Sequence, residues 1–449
     1  MGSVDAAPLA DSIQSLVRGL EARTKSDPHF WDFADSPHRG GGHAFFQYPA
    51  MMVPELQGVL LDELLAADAE VTSVFDPFMG SGTVLLESIY RGLDFFGVDI
   101  NPMAVLLSQV KSAPPSEVVA TAAITSTTAV AQGSTAADFD FPNVTKWFQP
   151  AVRTDLSRLR AAIMAHPEQA TRRFLWVCLA ETIRLVSNSR TSTVKLHAYS
   201  ADQLTSRKPD AIATFETIGR ANARRAGEHW TQVAERDERL QQSAAPAVQL
   251  QRASILSDIV GPASVDAIMS SPPYGDNDTT VTYGQHSYLP LQWIEPSDLV
   301  GTLEPSLLSS TGRIDTLSLG GSLVGALNSR ATLTERSSAL AAFLPQIEDR
   351  PDLLKKVLSF SRDYEAALVS ATVPLKIGGF SFWTLGERRV GKKLVPLVRI
   401  TEEFLAHNGH EKVHLITREL PLKRKRMAAV NSIGSTMSRE YVLVTVKIS

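Results

Sequence analysis

Two short stretches of this 449-residue chain carry residue types whose spacing could do chemistry. The first is Asp76-Pro77-Phe78-Met79-Gly80-Ser81-Gly82-Thr83; the second is Ser271-Pro272-Pro273-Tyr274. Each follows a short apolar run that ends at a turn. A strand that stops at a glycine-rich loop and opens a helix lets bare backbone approach a nucleotide-like ligand. A strand that stops at a polar residue, two prolines and an aromatic offers a stiff hydrogen-bonding edge beside a flat stacking surface. Together they read as a cofactor site and a base site on one sheet.

The glycine loop departs from two common ligand classes. A phosphate-binding P-loop needs Lys and Ser/Thr directly after its last glycine, whereas Gly82 is followed by Thr83-Val84; a dinucleotide fingerprint needs a third glycine where Leu85 stands. What remains is a Gly-Ser-Gly turn with Asp76 at the strand end and Asp99 after the next strand, where an acid suits a ribose diol. A tight turn without a ligand is the plain alternative.

The elements that must position these residues follow from periodicity. The spacing predicts a helix over 51–65, a strand over 71–75, a helix over 83–91 and a strand over 94–98 ending at Asp99. Residues 112–137, rich in Ala, Ser, Thr and Pro, read as a linker or a lightly packed helix, and 147–242 as helical, most buried over 170–186. Strands are expected at 253–256 and 265–269, a loop-rich polar block at 276–350, and further strands at 378–385, 412–417 and 441–448, the last two as an antiparallel pair. His38-Arg39-Gly40-Gly41-Gly42-His43 reads as a mobile loop. The fold class is α/β: a Rossmann-like, mostly parallel sheet ending in an antiparallel pair, with a helical insertion.

The two motifs, in this order, resemble those of the DNA amino-methyltransferases, which use S-adenosylmethionine to modify cytosine N4 or adenine N6. The resemblance extends to Tyr48-Pro49, to Asp99-Ile100-Asn101-Pro102, to Asp258 and to Gly378-Gly379, about half the chain. It implies that Asp76, Pro77, Phe78, Gly80, Gly82 and Thr83 form the loop at the cofactor's methionine end, flanked by Tyr48 and Pro49. Asp99 would bind the ribose hydroxyls, Ile100 beside it would belong to the cofactor site, and Asp258 would accept from the adenine amine. Ser271, Pro272, Pro273 and Tyr274 would be the catalytic segment, with Tyr274 stacking on a base rotated out of the duplex. Serine at the head of that segment leans toward cytosine N4 over adenine N6.

The physical logic of the base site agrees with that role. An exocyclic amine is a poor nucleophile because its lone pair is delocalised into the ring. Two acceptors on its hydrogens, such as Ser271 Oγ and the Pro272 carbonyl, favour a pyramidal nitrogen. C5 methylation of cytosine needs a cysteine nucleophile, and the single cysteine, Cys178, lies in Trp176-Val177-Cys178-Leu179, which reads as core. An RNA guanine-N2 methyltransferase is a rival, disfavoured because only about 70 residues precede the first strand for an RNA-binding module. A catalytically silent DNA-binding subunit is another; it would have lost a cofactor residue, and Asp76, Gly80, Gly82 and Asp99 are all present.

Net charge is −4, so positive charge must be local to serve nucleic acid. Residues 146–240 hold 16 Lys/Arg against 10 Asp/Glu, and 411–449 hold 8 against 3. Candidate DNA contacts are Arg190, Lys195, Arg207 and Lys208, and Lys423 and Arg424 within Lys423-Arg424-Lys425-Arg426. Expected regions are 1–110 and 246–280 with 361–449 for catalysis, and 111–245 and 281–360 as inserted blocks. Because the last strand-like run lies at the chain's end, recognition is assigned to the inserted blocks, chiefly the helical one. Double-stranded DNA is the expected partner, with a cognate restriction endonuclease or defence-system proteins beside it. No metal-ligand spacing, membrane-length apolar run or secretory signal is read from the sequence, and a cytoplasmic location is expected.

Overall fold

A computed structural model describes residues 6–36, 40–193, 195–241, 244–257, 264–275, 281–301, 303–420 and 437–449. Its strands are β1 (Ser73–Asp76), β2 (Asp94–Asp99), β3 (Val248–Arg252), β4 (Val265–Ser270), β5 (Leu375–Gly386), β6 (Arg388–Val390), β7 (Lys393–Val395), β8 (His410–Glu419) and β9 (Arg439–Lys447). Seven of them form one sheet in the order β3-β2-β1-β4-β5-β9-β8, and β6 and β7 form a small separate ribbon. The pairs from β3 through β5 are parallel, and β9 runs antiparallel to both β5 and β8. This is a Rossmann-like α/β fold.

Alternation along the strands builds two buried faces, as a sheet covered on both sides requires. Val74, Phe95, Ala267, Met269, Phe382 and Val444 face the helices Ala6–Ser26, Pro54–Ala67 and Thr83–Ile89. Phe75, Phe96, Ile268, Trp383 and Leu443 face the helices Pro351–Thr372 and Leu397–His407.

A third core belongs to the helical insertion that leaves the chain after helix Pro102–Ser112 and returns at β3. It is built by helices Glu117–Gly133, Pro150–Met164, Gln169–Val186 and the 30-residue Ala211–Leu240. Of the two readings of 112–137, a linker or a lightly packed helix, the structure shows a helix, packed in this core. The long helix crosses it closely at Gly219, where a Cβ would overlap Ile124. Cys178 is fully buried in this core.

The region expected to be loop-rich and polar, 276–350, is also corrected. It carries helix Tyr283–Trp293, and its apolar side chains divide between two cores. Leu289, Leu291, Trp293, Leu299 and Ile314 join the insertion. Leu319, Leu333, Leu340 and Phe343 cover the sheet. Asp298, fully buried, is gripped by Arg172 at 2.7 Å and accepts from Trp176 Nε1 at 2.7 Å, tying the segment to helix Gln169–Val186. The expected boundary at 360 falls inside helix Pro351–Thr372.

The strand expected at 253–256 lies instead at β3, immediately before it. Gly41–Ala44 forms a 3-10 turn with His43 buried, its Nε2 3.0 Å from Glu87 Oε1, so this part of the expected mobile loop is fixed; residues 37–39 lie outside the described set. Among the described residues no helix is long and apolar enough to cross a membrane, and no cluster of three or more His, Cys, Asp or Glu could hold a metal ion.

Candidate active site

Parallel strands deliver their C-terminal ends to one edge, and a crevice opens there where strand order reverses. In this sheet the reversal lies between β1 and β4, the two strands that end in the sequence motifs. β1 stops at Asp76, the loop turns through Gly80 and Gly82, and helix Thr83–Ile89 begins. Both glycines have left-handed backbone, with φ of +46° and +69°. A side chain at Gly82 would also press on Ser108 Oγ, 2.9 Å from an added Cβ.

Hydrogen bonds hold this loop from several sides. Asp99, at the end of β2, accepts from the backbone N–H of Gly80 at 2.9 Å and of Asn101 at 2.8 Å. Lys111, fully buried on helix Pro102–Ser112, donates to the Ser81 carbonyl at 2.6 Å. Asp76 accepts at Oδ1 from Ser270 Oγ at 2.6 Å and from the Phe78 N–H at 3.1 Å. Its other oxygen, Oδ2, is buried without a hydrogen-bond partner among the described residues. Burial pushes the Asp76 carboxyl up to about 7 and that of Asp99 up to about 6, the latter opposed by the backbone amides around it.

The cleft is lined by Tyr48, Pro49, Pro77, Phe78, Gly80, Asp99, Ile100, Ser271 and Pro273 from the expected set. Asp76, Gly82, Thr83, Pro272 and Tyr274 do not line it. Asp76 and Thr83 are buried beside or beneath the loop, and Pro272 is buried at the end of β4. Tyr274 packs beside the cleft, its ring against Gly386 of β5, where a Cβ would overlap it. Its hydroxyl lies 3.2 Å from Ser271 Oγ and donates to Glu440 Oε1 at 3.2 Å. Burial and the Glu440 charge hold that hydroxyl well above the usual phenol range. Asp258, Lys423 and Arg424 lie outside the described residues.

Sequence reading missed several lining groups. Ala253, Ser254 and Ile255 follow β3, and Ile314, Ser318 and Leu319 come from the segment expected to be polar loop. Asn101 caps helix Pro102–Ser112 and is buried; its amide donates to Tyr48 Oη at 3.0 Å and to Ser287 Oγ at 2.8 Å. Tyr283 stacks on Tyr48 with ring centroids 5.7 Å apart. Met51 and Met52 add an apolar wall, and Ala50 holds φ of +45° within it. The signal that could have found Asn101 is its place as N-cap before Pro102.

Of the basic candidates, Arg190 and Lys208 are exposed and Lys195 is half-buried. Arg207 is also engaged within the fold: its guanidinium donates to the carbonyls of Leu185 and Ser187 at 3.1 and 3.2 Å and lies over the Tyr199 ring. It closes the end of helix Gln169–Val186. The excursion that carries Arg190 and Lys195 meets helix Tyr283–Trp293, where the Leu196 N–H donates to Gln285 Oε1 at 3.3 Å.

The donor set suits an adenosyl sulfonium cofactor. Asp99 offers anionic acceptor capacity beside an apolar wall, the bare backbone at Gly80 allows close approach, and the orphaned Asp76 oxygen under the loop is a group that an ammonium would satisfy. No protein-family model matches the chain. It is 26% identical over 457 aligned residues to the Type II methyltransferase M.MvaI of Kocuria varians, across 97% of this chain and 98% of that protein. The alignment therefore spans nearly the whole of both chains.

Proposed function

We propose that this protein is a site-specific DNA methyltransferase that uses S-adenosylmethionine to methylate the exocyclic amine of a flipped base, cytosine N4, in double-stranded DNA. The observation that carries this reading is the convergence of the Asp99-braced glycine loop and the Ser271 segment on one cleft at the β1/β4 reversal. The similarity to a Type II methyltransferase supports it. Asp76, Gly80 and Gly82 would hold the methionine end, Tyr48 and Pro49 flank it, and Asp99 with Ile100 receive the ribose. The cofactor, when bound, supplies the electrophilic methyl group.

The chain's own part is binding and orientation. Ser271 Oγ in the cleft lining, with the Pro272 carbonyl behind it as the second candidate acceptor, would take hydrogen bonds from the amine and turn its lone pair toward the methyl group. Target reading is assigned to the joined helical body, where the Arg190–Lys195 excursion adjoins helix Tyr283–Trp293. A restriction–modification or phage-defence setting in the cytoplasm, with a cognate endonuclease, completes the reading.

Mass spectrometry of digested duplex DNA after reaction tests it. N4-methylcytosine without 5-methylcytosine is expected. N6-methyladenine alone would move the assignment to adenine, and no modified base in DNA would refute it. Ser271→Ala should remove most methyl transfer while leaving cofactor affinity within a few-fold; near-wild-type turnover would remove Ser271 from its role.

A further inference from the structure

The hydroxyls of Ser271 and Tyr274 belong to a hydrogen-bonded chain whose far end lies outside both sequence motifs. Tyr274 Oη donates to Glu440 Oε1 at 3.2 Å. Ser271 Oγ lies 3.2 Å from Tyr274 Oη. Cross-strand register explains how the third member arrives. Glu440 on β9 pairs with Gly386 on β5 and with Arg418 on β8. Gly386 carries no side chain, so the Tyr274 ring lies over that point and its hydroxyl reaches the neighbouring strand. Fully buried Arg418 faces the other carboxylate oxygen of Glu440 at 3.6 Å.

Hydrogen-bond valence then fixes a direction. A carboxylate only accepts, and a phenol has one hydrogen to give. With that hydrogen on Glu440, the tyrosine oxygen can only accept from Ser271. The serine hydrogen is thereby committed toward Tyr274, and the lone pairs of Ser271 Oγ are left for the cleft. A site organised in this way prefers a substrate atom that brings hydrogens, such as an amine, over one that brings only lone pairs, such as a carbonyl oxygen or ring nitrogen.

We infer that Glu440 is a positioning residue which, through Tyr274, sets Ser271 as a hydrogen-bond acceptor for the amine undergoing methylation. The inference rests on the reaction proposed above. It adds a residue from β9 and gives the Tyr274 hydroxyl a task separate from ring stacking.

The test is a set of isosteric variants, Tyr274→Phe, Glu440→Gln and both together, in the full-length protein. They are assayed with radiolabelled S-adenosylmethionine and sheared genomic duplex DNA from cells lacking the gene. Tyr274→Phe keeps the ring and should lower kcat on the order of ten-fold or more, with KM for DNA and cofactor affinity within about three-fold. Glu440→Gln should lower kcat in the same way, and the double variant should be no worse than Tyr274→Phe alone, because both remove one chain. Multiplying effects in the double variant, or wild-type kcat in Tyr274→Phe, would overturn the inference while leaving the methyltransferase reading intact. A wild-type protein that labels no DNA would overturn that reading, and this inference with it. Should Glu440→Gln fail to fold around Arg418, the Tyr274→Phe split between kcat and KM decides.

Discussion

The two ends of the central sheet treat their carboxylates in opposite ways. At the N-terminal edge, Asp266 of β4 accepts from the N–H and hydroxyl groups of both Thr72 and Ser73, and pairs with Lys376 at 2.5 Å. Lys376 and those hydrogen bonds overcome burial and hold its carboxyl at about 2. At the C-terminal edge, Asp76 and Asp99 lack a cationic partner of that kind in their resolved interactions, and burial pushes them to about 7 and about 6. One carboxylate is engaged by a cation and four further donors, and the other two accept from neutral donors. Strained ionisation of this kind marks functional edges, though buried structural networks can produce it as well. Asp99 lines the cleft, and Asp76 keeps a buried oxygen without a hydrogen-bond partner among the described residues.

The largest expected effect comes from breaking the engaged end. Asp266→Ala leaves several donors of β1 and the Lys376 ammonium without their acceptor. It should cost on the order of 3 kcal/mol of stability by chemical denaturation, with cofactor affinity unchanged in the protein that remains folded. A loss of cofactor affinity comparable to the loss of stability would dissolve the distinction between the two ends.

Next in size is the C-terminal edge. Asp99→Ala should weaken S-adenosylmethionine binding by about 1.5 to 3 kcal/mol, the scale of hydrogen bonds to a charged group, with a smaller change in stability than Asp266→Ala. Calorimetric titration reads the first and denaturation the second. Unchanged affinity would take Asp99 out of the cofactor site.

The C-terminal edge was far more legible in the sequence than its surroundings. Short, largely apolar runs ending in Asp76, Asp99 and Ser271 announce strands and their polar tips together, because buried parallel strands read as near-continuous hydrophobic segments. β3 escaped because it is an edge strand: Val248-Gln249-Leu250-Gln251-Arg252 is only half-buried, and the apolar Ile255 just beyond it drew the expectation forward. Helix Tyr283–Trp293 was hidden by Gly284 and Pro290, residues that argue against a helix interior. Tertiary packing on the insertion outweighs them, and Asp315 accepts from the first free N–H groups, those of Gly284 and Gln285. Over Glu117–Gly133 alanine, serine and threonine give no clear amphipathic stripe, which left linker and lightly packed helix as alternatives; the contact that decides it, Ile124 against Gly219, joins residues distant in sequence. Glu440 could not be read at all. Its relevance depends on β9 pairing with β5, a contact between residues distant in sequence.

The smallest expected effect is a slope. A carboxyl raised from 3.8 to about 7 binds its proton more tightly in the folded state than in the unfolded chain. Its favourable contribution is therefore complete below about pH 4 and is lost as pH rises toward 7. Asp266, lowered to about 2, has the opposite sign and loses its contribution only as pH falls from about 4 toward 2. Asp76→Asn keeps an oxygen for Ser270 and Phe78 and places an uncharged amide where the orphaned oxygen stands. That amide can itself lack a partner, a cost that does not vary with pH. The informative quantity is hence the change in stability difference between variant and wild type, measured by denaturation without cofactor at pH 5 and pH 8. The difference should shift in favour of Asp76→Asn at the higher pH and level off above about 7, while cofactor affinity falls for want of the anion. Equal differences at both pH values would mean that Asp76 is already ionised without strain, and the two ends of the sheet would no longer differ in the way their carboxylates are held.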